Sequence, residues 1–265
     1  DLPIFSNDEI CIDAILGTGN TRPIDDSWTK LVVQYNNCEA YKISIDLPSG
    51  IPANGSAQGL TINSDLVFGF EFPKLAYLMV ENAAYIKSWT LGSIGLSSEA
   101  VQSINVSQHY IQESDIVQMI KPRPKFGYKN IFGHVGVIAG SRNMCGAGIL
   151  TSKACLRTGA GLVSIFLDED CRLEQYAYMP EIMQRDRKEF WINPRSEFNS
   201  LVIGPGLKAE PNIKRLVETA INSHLPCILD AEAINELART PDLRNTLDSQ
   251  VILTPHIGEF ENLVG

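Results

Sequence analysis

An α/β fold with two domains on parallel sheets is predicted by three features of the 265-residue chain. Short apolar runs alternate with amphipathic segments. Glycine, an acid, Ser/Thr or His follows run after run. A proline-rich stretch breaks the pattern near the middle. Strand–helix–strand alternation implies parallel strands, since each crossover returns the chain to the same end of the sheet, and helices then cover both faces.

Strands are predicted over Ile10–Leu16, Lys42–Leu47, Leu66–Phe72, His134–Ala139, Leu162–Leu167, Leu201–Ile203, Cys227–Leu229 and Val251–Leu253. Helices are predicted over Ser27–Asn36, Gly146–Thr158, Pro211–Ser223 and Ala231–Ala238, and from Glu259 onward. Within Pro211–Ser223, Ile213, Leu216, Val217 and Ala220 recur at helical spacing. Lys121-Pro-Arg-Pro-Lys125 cannot be helix interior, because each proline lacks an N–H and biases the residue before it. A domain boundary is therefore placed within residues 105–130, after a short helix over Ile116–Ile120.

Composition narrows the function classes. Hydrophobic residues make up 44% and charged residues 20%, a globular balance, and the length allows two sizeable cores. Net charge is −9 from 22 basic and 31 acidic residues, which argues against nucleic acid or an anionic membrane as partner. Nucleotides stay admissible, since loop N–H groups and helix dipoles bind phosphate without net positive charge. No apolar run approaches the ~18 residues of a membrane span. The opening DLPIFSNDE has neither the basic nor the apolar region of a signal peptide. Cys11, Cys38, Cys145, Cys155, Cys171 and Cys227 form no C-x-x-C pair and no zinc spacing. They read as free thiols in apolar runs, which points to the cytoplasm.

In open parallel sheets ligands bind beyond the carboxyl ends of the strands, so the residues there carry the chemistry. The longest such signal is Gly133–Gly161, where an apolar run passes through Gly140-Ser141 into a helix of small residues. That turn aims backbone N–H groups and a positive helix end at an anion. Asp46 ends the run KISID before Pro-Ser-Gly. It reads either as an acid/base carboxylate or as a turn residue satisfied by local N–H groups. Asp13 stands in the apolar run ICIDAIL, where a charge needs a partner or a cation. It is a candidate hard-oxygen metal ligand with Ser49, or else a carboxylate that ties down a loop. Gly204-Pro-Gly206-Leu-Lys-Ala209 matches a short dinucleotide pattern, with Asp230 ending the next strand. Pro205 removes one N–H, so a phosphate loop and a tight turn both remain open. His256 follows the last strand in Thr254-Pro-His-Ile-Gly-Glu-Phe260. It reads as a substrate-positioning or protonating group, or as a histidine packed at a helix entrance.

Taken in order, DAILGTGNTRP, IDLPSG, FGHVGVIAGS, CLRTGAGLV, PEIM, LVIGPGL, ILDAEA and LTPHIGEF resemble the bifunctional NAD(P)H-hydrate repair enzymes. The resemblance covers nearly the whole chain. It implies two three-layer αβα domains: a Rossmann-like epimerase domain over residues 1–108 and a ribokinase-like dehydratase domain over residues 109–265. It further implies a potassium ion at Asp13 and Ser49, with Asp46 both contacting substrate and catalytic. Gly17, Thr18, Gly19, Asn20, Thr21 and Arg22 are implied to line the hydrated cofactor. In the second domain Ala147, Gly206, Pro255, His256, Ile257, Gly258, Glu259 and Phe260 are implied to line the hydrated nicotinamide nucleotide. ADP or ATP as phosphoryl donor, Mg2+, a small-molecule substrate and a homo-oligomer complete what it implies.

The departures matter too. The family's Asn-Asn-Gly-Gly-Asp loop and its Gly-Thr-Gly-Asp turn do not occur here, so the chain is expected to be an interior portion of a longer one. Lys208 follows GPGL where the family has glycine, and Asp230-Ala-Glu232 replaces its DAD. Two competing readings are kept: a ribokinase-like kinase of a small molecule such as a vitamin or thiazole, and a non-catalytic nucleotide-binding module.

Overall fold

A computed structural model describes residue 6 and residues 8–120, 122–168, 171, 180–191 and 194–265. Residues 1–5 and 7, within the segment read for a signal peptide, and Lys121 of the proline-rich stretch lie outside them. The chain divides into two compact units, Asp1–Lys121 and Pro122–Gly265.

In the first unit β1 (Ile10–Asp13), β2 (Tyr41–Ile45), β3 (Leu66–Phe70) and β4 (Trp89–Gly92) form one sheet in that order, and every pair is parallel. Helix α1 (Thr29–Asn37) packs Val32 and Tyr35 against Cys11, Ala40 and Ile62. A second cluster on Leu47, Ile51, Val67, Ala76 and Tyr77 fills the space around β3. Removing such aliphatic side chains from water stabilises by about 2 kcal/mol each. Two short helices follow, α2 (Ser98–Gln102) and α3 (Glu113–Met119).

The second unit holds β5 (His134–Ile138), α4 (Cys145–Thr158), β6 (Leu162–Leu167), β7 (Met183–Asp186), β8 (Ser200–Ile203), α5 (Ile213–Asn222), β9 (Cys227–Leu229), α6 (Glu232–Arg239), α7 (Pro241–Arg244), β10 (Val251–Leu253) and α8 (Ile257–Val264). Its six strands are all parallel, in the order β10-β9-β8-β5-β6-β7. Helices α5, α6 and α8 bury Leu216, Ala220, Ile234, Leu237 and Leu263 with Leu201, Ile203 and Leu229 of the sheet. The other cluster places Cys145 and Cys155 of α4 with Val137, Val163 and Ile165. In α5 the apolar residues at helical spacing, Ile213, Leu216, Val217 and Ala220, are all fully buried.

Five differences separate the structure from the sequence reading. The first strand ends at Asp13, not Leu16, because the Asp13 carboxylate accepts the Ile15 N–H and turns the chain. The third ends at Phe70, where Glu71 takes a positive φ of 58°. Strands β4 and β7 went unread: WTLG is brief, and MQRD is polar. Coverage of the sheets is incomplete, with Ile10 and Ile12 of edge strand β1 and Ile252 of β10 exposed. The reading of six free thiols is corrected: Cys145 and Cys171 form a disulfide with Cα atoms 5.5 Å apart, while Cys11, Cys38, Cys155 and Cys227 are free. Their separation of 26 residues leaves no local spacing to betray the pair.

Candidate functional sites at the strand ends

Asp46 follows β2 in a left-handed conformation, φ 69°, which side chains seldom adopt, though Asp does so more readily than most. Its N–H donates to Phe68 O at 2.8 Å and its carbonyl accepts from the Tyr77 hydroxyl. The carboxylate does not serve a local turn. Oδ2 accepts the Thr18 N–H at 3.2 Å, and Oδ1 lies 2.6 Å from Lys74 Nζ. Both side chains are about seven-eighths buried, at 13% and 15% exposure. Gly17 passes so close that an added Cβ would sit 3.4 Å from Asp46 Oδ2. Thus the structure brings Gly17, Thr18 and Asp46 together, and it adds Lys74, which the sequence reading missed. Carrying the third strand on to Phe72 hid the fact that Lys74 follows a strand end.

Gly17, Gly19, Asn20, Thr21 and Arg22 line a cavity of about 530 Å³ with Leu16, Ile24 and Trp28. Thr18, Asn20, Thr21 and Arg22 line a neighbouring one of about 370 Å³ with Gly50, Pro52, Asn54 and Gln58. The loop therefore presents both of its faces to pockets wide enough for part of a nucleotide.

Asp13 is buried at the end of β1. Its Oδ1 accepts from Ser49 Oγ at 2.7 Å and Ile15 N at 3.3 Å; its Oδ2 accepts from Ser49 N at 2.8 Å and Ser44 Oγ at 2.9 Å. A carboxylate has about four acceptor positions, and here all are used. Ser49 Oγ also accepts the Leu16 N–H at 3.0 Å. As arranged, this donor set does not fit a potassium ion. It fits a buried carboxylate that fastens the loops after β1 and β2 to each other. Among the described residues no group of three His, Cys, Asp or Glu could hold a metal.

In the second unit the chain leaves β5 for β6 on one side and resumes with β8 on the other. The crevice beyond β5 and β8 is thus a topological switch point, where open α/β sheets bind ligands. Gly140 N donates to Pro205 O at 2.8 Å, and Ser141 Oγ donates to Gly206 O at 2.8 Å. Arg187 donates to Gly140 O and pairs with Asp168 at 3.0 Å. Gly206 has φ 66°, and a Cβ there would lie 2.7 Å from Ala147 Cβ and 2.8 Å from Met144 O. Gly206 and Ala147 are thereby brought together at the start of α4. Met144 gives that helix no side-chain cap, and of its first-turn N–H groups that of Ala147 already donates to Met144 O at 3.2 Å, while the positive helix end still favours an anion.

Pro255, His256, Ile257, Gly258, Glu259 and Phe260 form the entry to α8. His256 N donates to Glu259 Oε2 at 3.0 Å and His256 Nδ1 accepts from Glu259 N at 3.3 Å, a reciprocal cap. Ile257 and Phe260 stay exposed beside it. Upstream, Thr254 Oγ1 donates to Asp230 Oδ1 at 2.7 Å, and a Cβ on Gly204 would strike Asp230 O. The ends of β8, β9 and β10 are thereby fastened in series.

Residues 2–76 match the family described as YjeF-related protein N-terminus, and residues 135–265 match the one described as NAD(P)H-hydrate dehydratase. Aligned over almost its whole length, the chain is 28% identical to the bifunctional NAD(P)H-hydrate repair enzyme Nnr of Coxiella burnetii, covering 99% of this chain and 54% of that protein. The chain belongs to the bifunctional NAD(P)H-hydrate repair family. The Nnr protein of Escherichia coli is 29% identical, with 97% of this chain and 49% of that one covered. The chain thus spans about half the length of the curated relatives it matches. Among solved structures, a ribokinase-like superfamily protein of Enterococcus faecalis superposes with a TM-score of 0.51 at 28% identity, covering 60% of this chain and 59% of that one. An ADP/ATP-dependent NAD(P)H-hydrate dehydratase of Bacillus subtilis, co-crystallized with ATP/Mg2+, gives 0.50 at 27% identity, covering 57% and 54%. The two α/β units are the Rossmann-like and ribokinase-like architectures of this family.

Proposed function

We propose that the protein repairs hydrated nicotinamide nucleotides, with a C6 epimerase site in the first unit and a nucleotide-dependent dehydratase site in the second. One observation carries the reading: each matched segment sets its family-implied residues at the carboxyl ends of a parallel sheet. These are Asp46 with Thr18 and Gly17 in one unit, and Gly206 with Ala147 in the other.

In the hydrate, water has added across C5–C6 of the nicotinamide ring. Inversion at C6 requires a bond at that carbon to break and re-form, with a proton leaving and rejoining the hydroxyl. The Asp46 carboxylate, held between the Thr18 N–H and Lys74, is the group suited to carry that proton. The Gly17–Arg22 loop would hold the nucleotide against it. In the second unit, ADP or ATP with Mg2+ would supply a phosphoryl group to the C6 hydroxyl, and phosphate then leaves with the loss of a C5 proton, restoring the double bond. The Gly140 loop, Gly206 and the first turn of α4 are suited to hold anionic groups there, and the Pro255–Phe260 entry would form another wall.

No step is assigned to potassium, since Asp13 and Ser49 already satisfy one another. No helix among the described residues is long and apolar enough to cross a membrane. The protein acts on small molecules rather than nucleic acid, as a homo-oligomer; its placement in the cytoplasm loses the support of six free thiols, because Cys145 and Cys171 are joined. The test incubates the whole protein with hydrated NADH and ADP or ATP and follows NADH absorbance. Recovery of NADH supports the dehydratase assignment. Folded protein that yields none, or that builds up a stable phosphorylated alcohol, overturns it.

A further inference from the structure

We propose that Lys74 is a positioning residue of the epimerase site, fixing the rotamer of Asp46; this rests on the epimerase reading above. The loop after β3 carries Lys74 back over the end of β2. Its ammonium lies 2.6 Å from Asp46 Oδ1 and donates to Phe70 O at 3.0 Å. Ion pairs on an open surface contribute little, but this one is mostly shielded from water, where mutual attraction is stronger.

The backbone of Asp46 has a further anchor in Tyr77, over whose ring the Lys74 ammonium stands 6.0 Å from the centroid. The Tyr77 hydroxyl donates to Asp46 O, and Gly69 makes room for that ring: a Cβ there would lie 2.5 Å from Tyr77 Oη. Burial, reinforced by the Asp46 charge, raises the Tyr77 hydroxyl well above the ordinary tyrosine range, so it stays a donor. Tyr77 thus fixes where Asp46 sits, and Thr18 N–H grips one carboxylate oxygen. The other oxygen is held by Lys74 alone among the described residues. Without the ammonium, Asp46 keeps its left-handed backbone but loses the charge that balances its carboxylate and the contact that sets its side-chain torsion. That loss falls on turnover more than on nucleotide binding, because neither Asp46 nor Lys74 lines the pockets along Gly17–Arg22.

The experiment measures epimerisation of R to S hydrated NADH by the whole protein. In Lys74→Ala, kcat is expected to fall about 100-fold, a typical contribution of positioned acid–base groups, with KM changed by less than about threefold. Lys74→Arg should recover about tenfold of that loss, and added ethylammonium should rescue Lys74→Ala but not the unaltered protein. Lys87→Ala removes the exposed pair with Asp65 and should leave the rate unchanged. Should Lys74→Ala fail to fold, Lys74→Gln removes the charge while keeping most of the side-chain length, and the same fall in kcat is expected of it. A folded Lys74 variant with kcat within about threefold of the unaltered protein, or a loss that neither Arg nor ethylammonium restores, overturns the proposal. Absence of epimerisation by the unaltered protein instead overturns the epimerase reading itself.

Discussion

Gly206 meets Ala147 with no room to spare: a Cβ on Gly206 would stand 2.7 Å from Ala147 Cβ, and its φ of 66° already excludes most side chains. The loop after β8 and the start of α4 are therefore packed backbone to side chain, so the crevice between β5 and β8 has a fixed wall. Gly206→Ala should push the two apart. The expected outcome is a loss of about 1–3 kcal/mol in the stability of the second unit, from overpacking added to the left-handed backbone. Dehydratase activity should be lost with it. Urea unfolding and NADH recovery measure the two effects, and a variant unchanged in both would show that the wall is soft.

Asp13 makes a different kind of prediction. Its four donors come from three residues, of which Ser44 and Ser49 are buried and Ile15 is exposed. In Asp13→Ala the Ser49 N–H, Ser44 hydroxyl and Ser49 hydroxyl lose their acceptor inside the core. A cost of about 3 kcal/mol is expected, since an unmet buried donor costs its desolvation. Asp13→Asn keeps one acceptor oxygen and should cost less. Equilibrium unfolding of both variants checks the order; equal stability of Asp13→Ala and the unaltered chain would refute the hub.

How far the sequence disclosed this arrangement depended on the distance over which each interaction acts. Strands such as His134–Ile138 and the helix over Ile213–Asn222 were legible because burial imposes a period on successive residues. The strand-end residues were legible because a glycine or an acid after an apolar run has a local reason to be there. Lys74 was not, because its role comes from a contact with Asp46 across two strands. Asp13 was read as needing a partner, but three of its donors lie 31 or 36 residues away and carry no charge. The Cys145–Cys171 link likewise arises only when the end of β6 returns to the start of α4.

That link predicts a thiol count. Cys11, Cys38, Cys155 and Cys227 are free while Cys145 and Cys171 are joined. Unfolded under non-reducing conditions, the protein should titrate four thiols, rising to six after reduction. Closing a loop over a separation of 26 residues should stabilise by about 3 kcal/mol through the unfolded chain, an effect that vanishes in Cys171→Ser. Six reactive thiols before reduction, or no stability change on reduction, would contradict the bond.

His134 sets a pH dependence whose sign follows from burial. The ring packs edge-on against Phe198, with centroids 4.6 Å apart, and Nε2 meets Ser164 Oγ at 2.8 Å. Desolvation lowers its pKa below the ordinary histidine value, and the nearby Glu197 only partly opposes this. The folded state therefore favours the neutral ring, and the unfolded chain binds the proton more readily. Stability from this group is fully present above the unfolded histidine pKa of about 6.5 and is lost as pH falls through the lower folded value. Glu197 is held ionised by Arg185, so its own proton uptake falls at a lower pH than the histidine's. Urea unfolding between about pH 7.5 and 5 should show stability declining with acid, and His134→Gln should flatten that slope. A slope of the opposite sign, or one that His134→Gln leaves intact, would place the titrating group elsewhere.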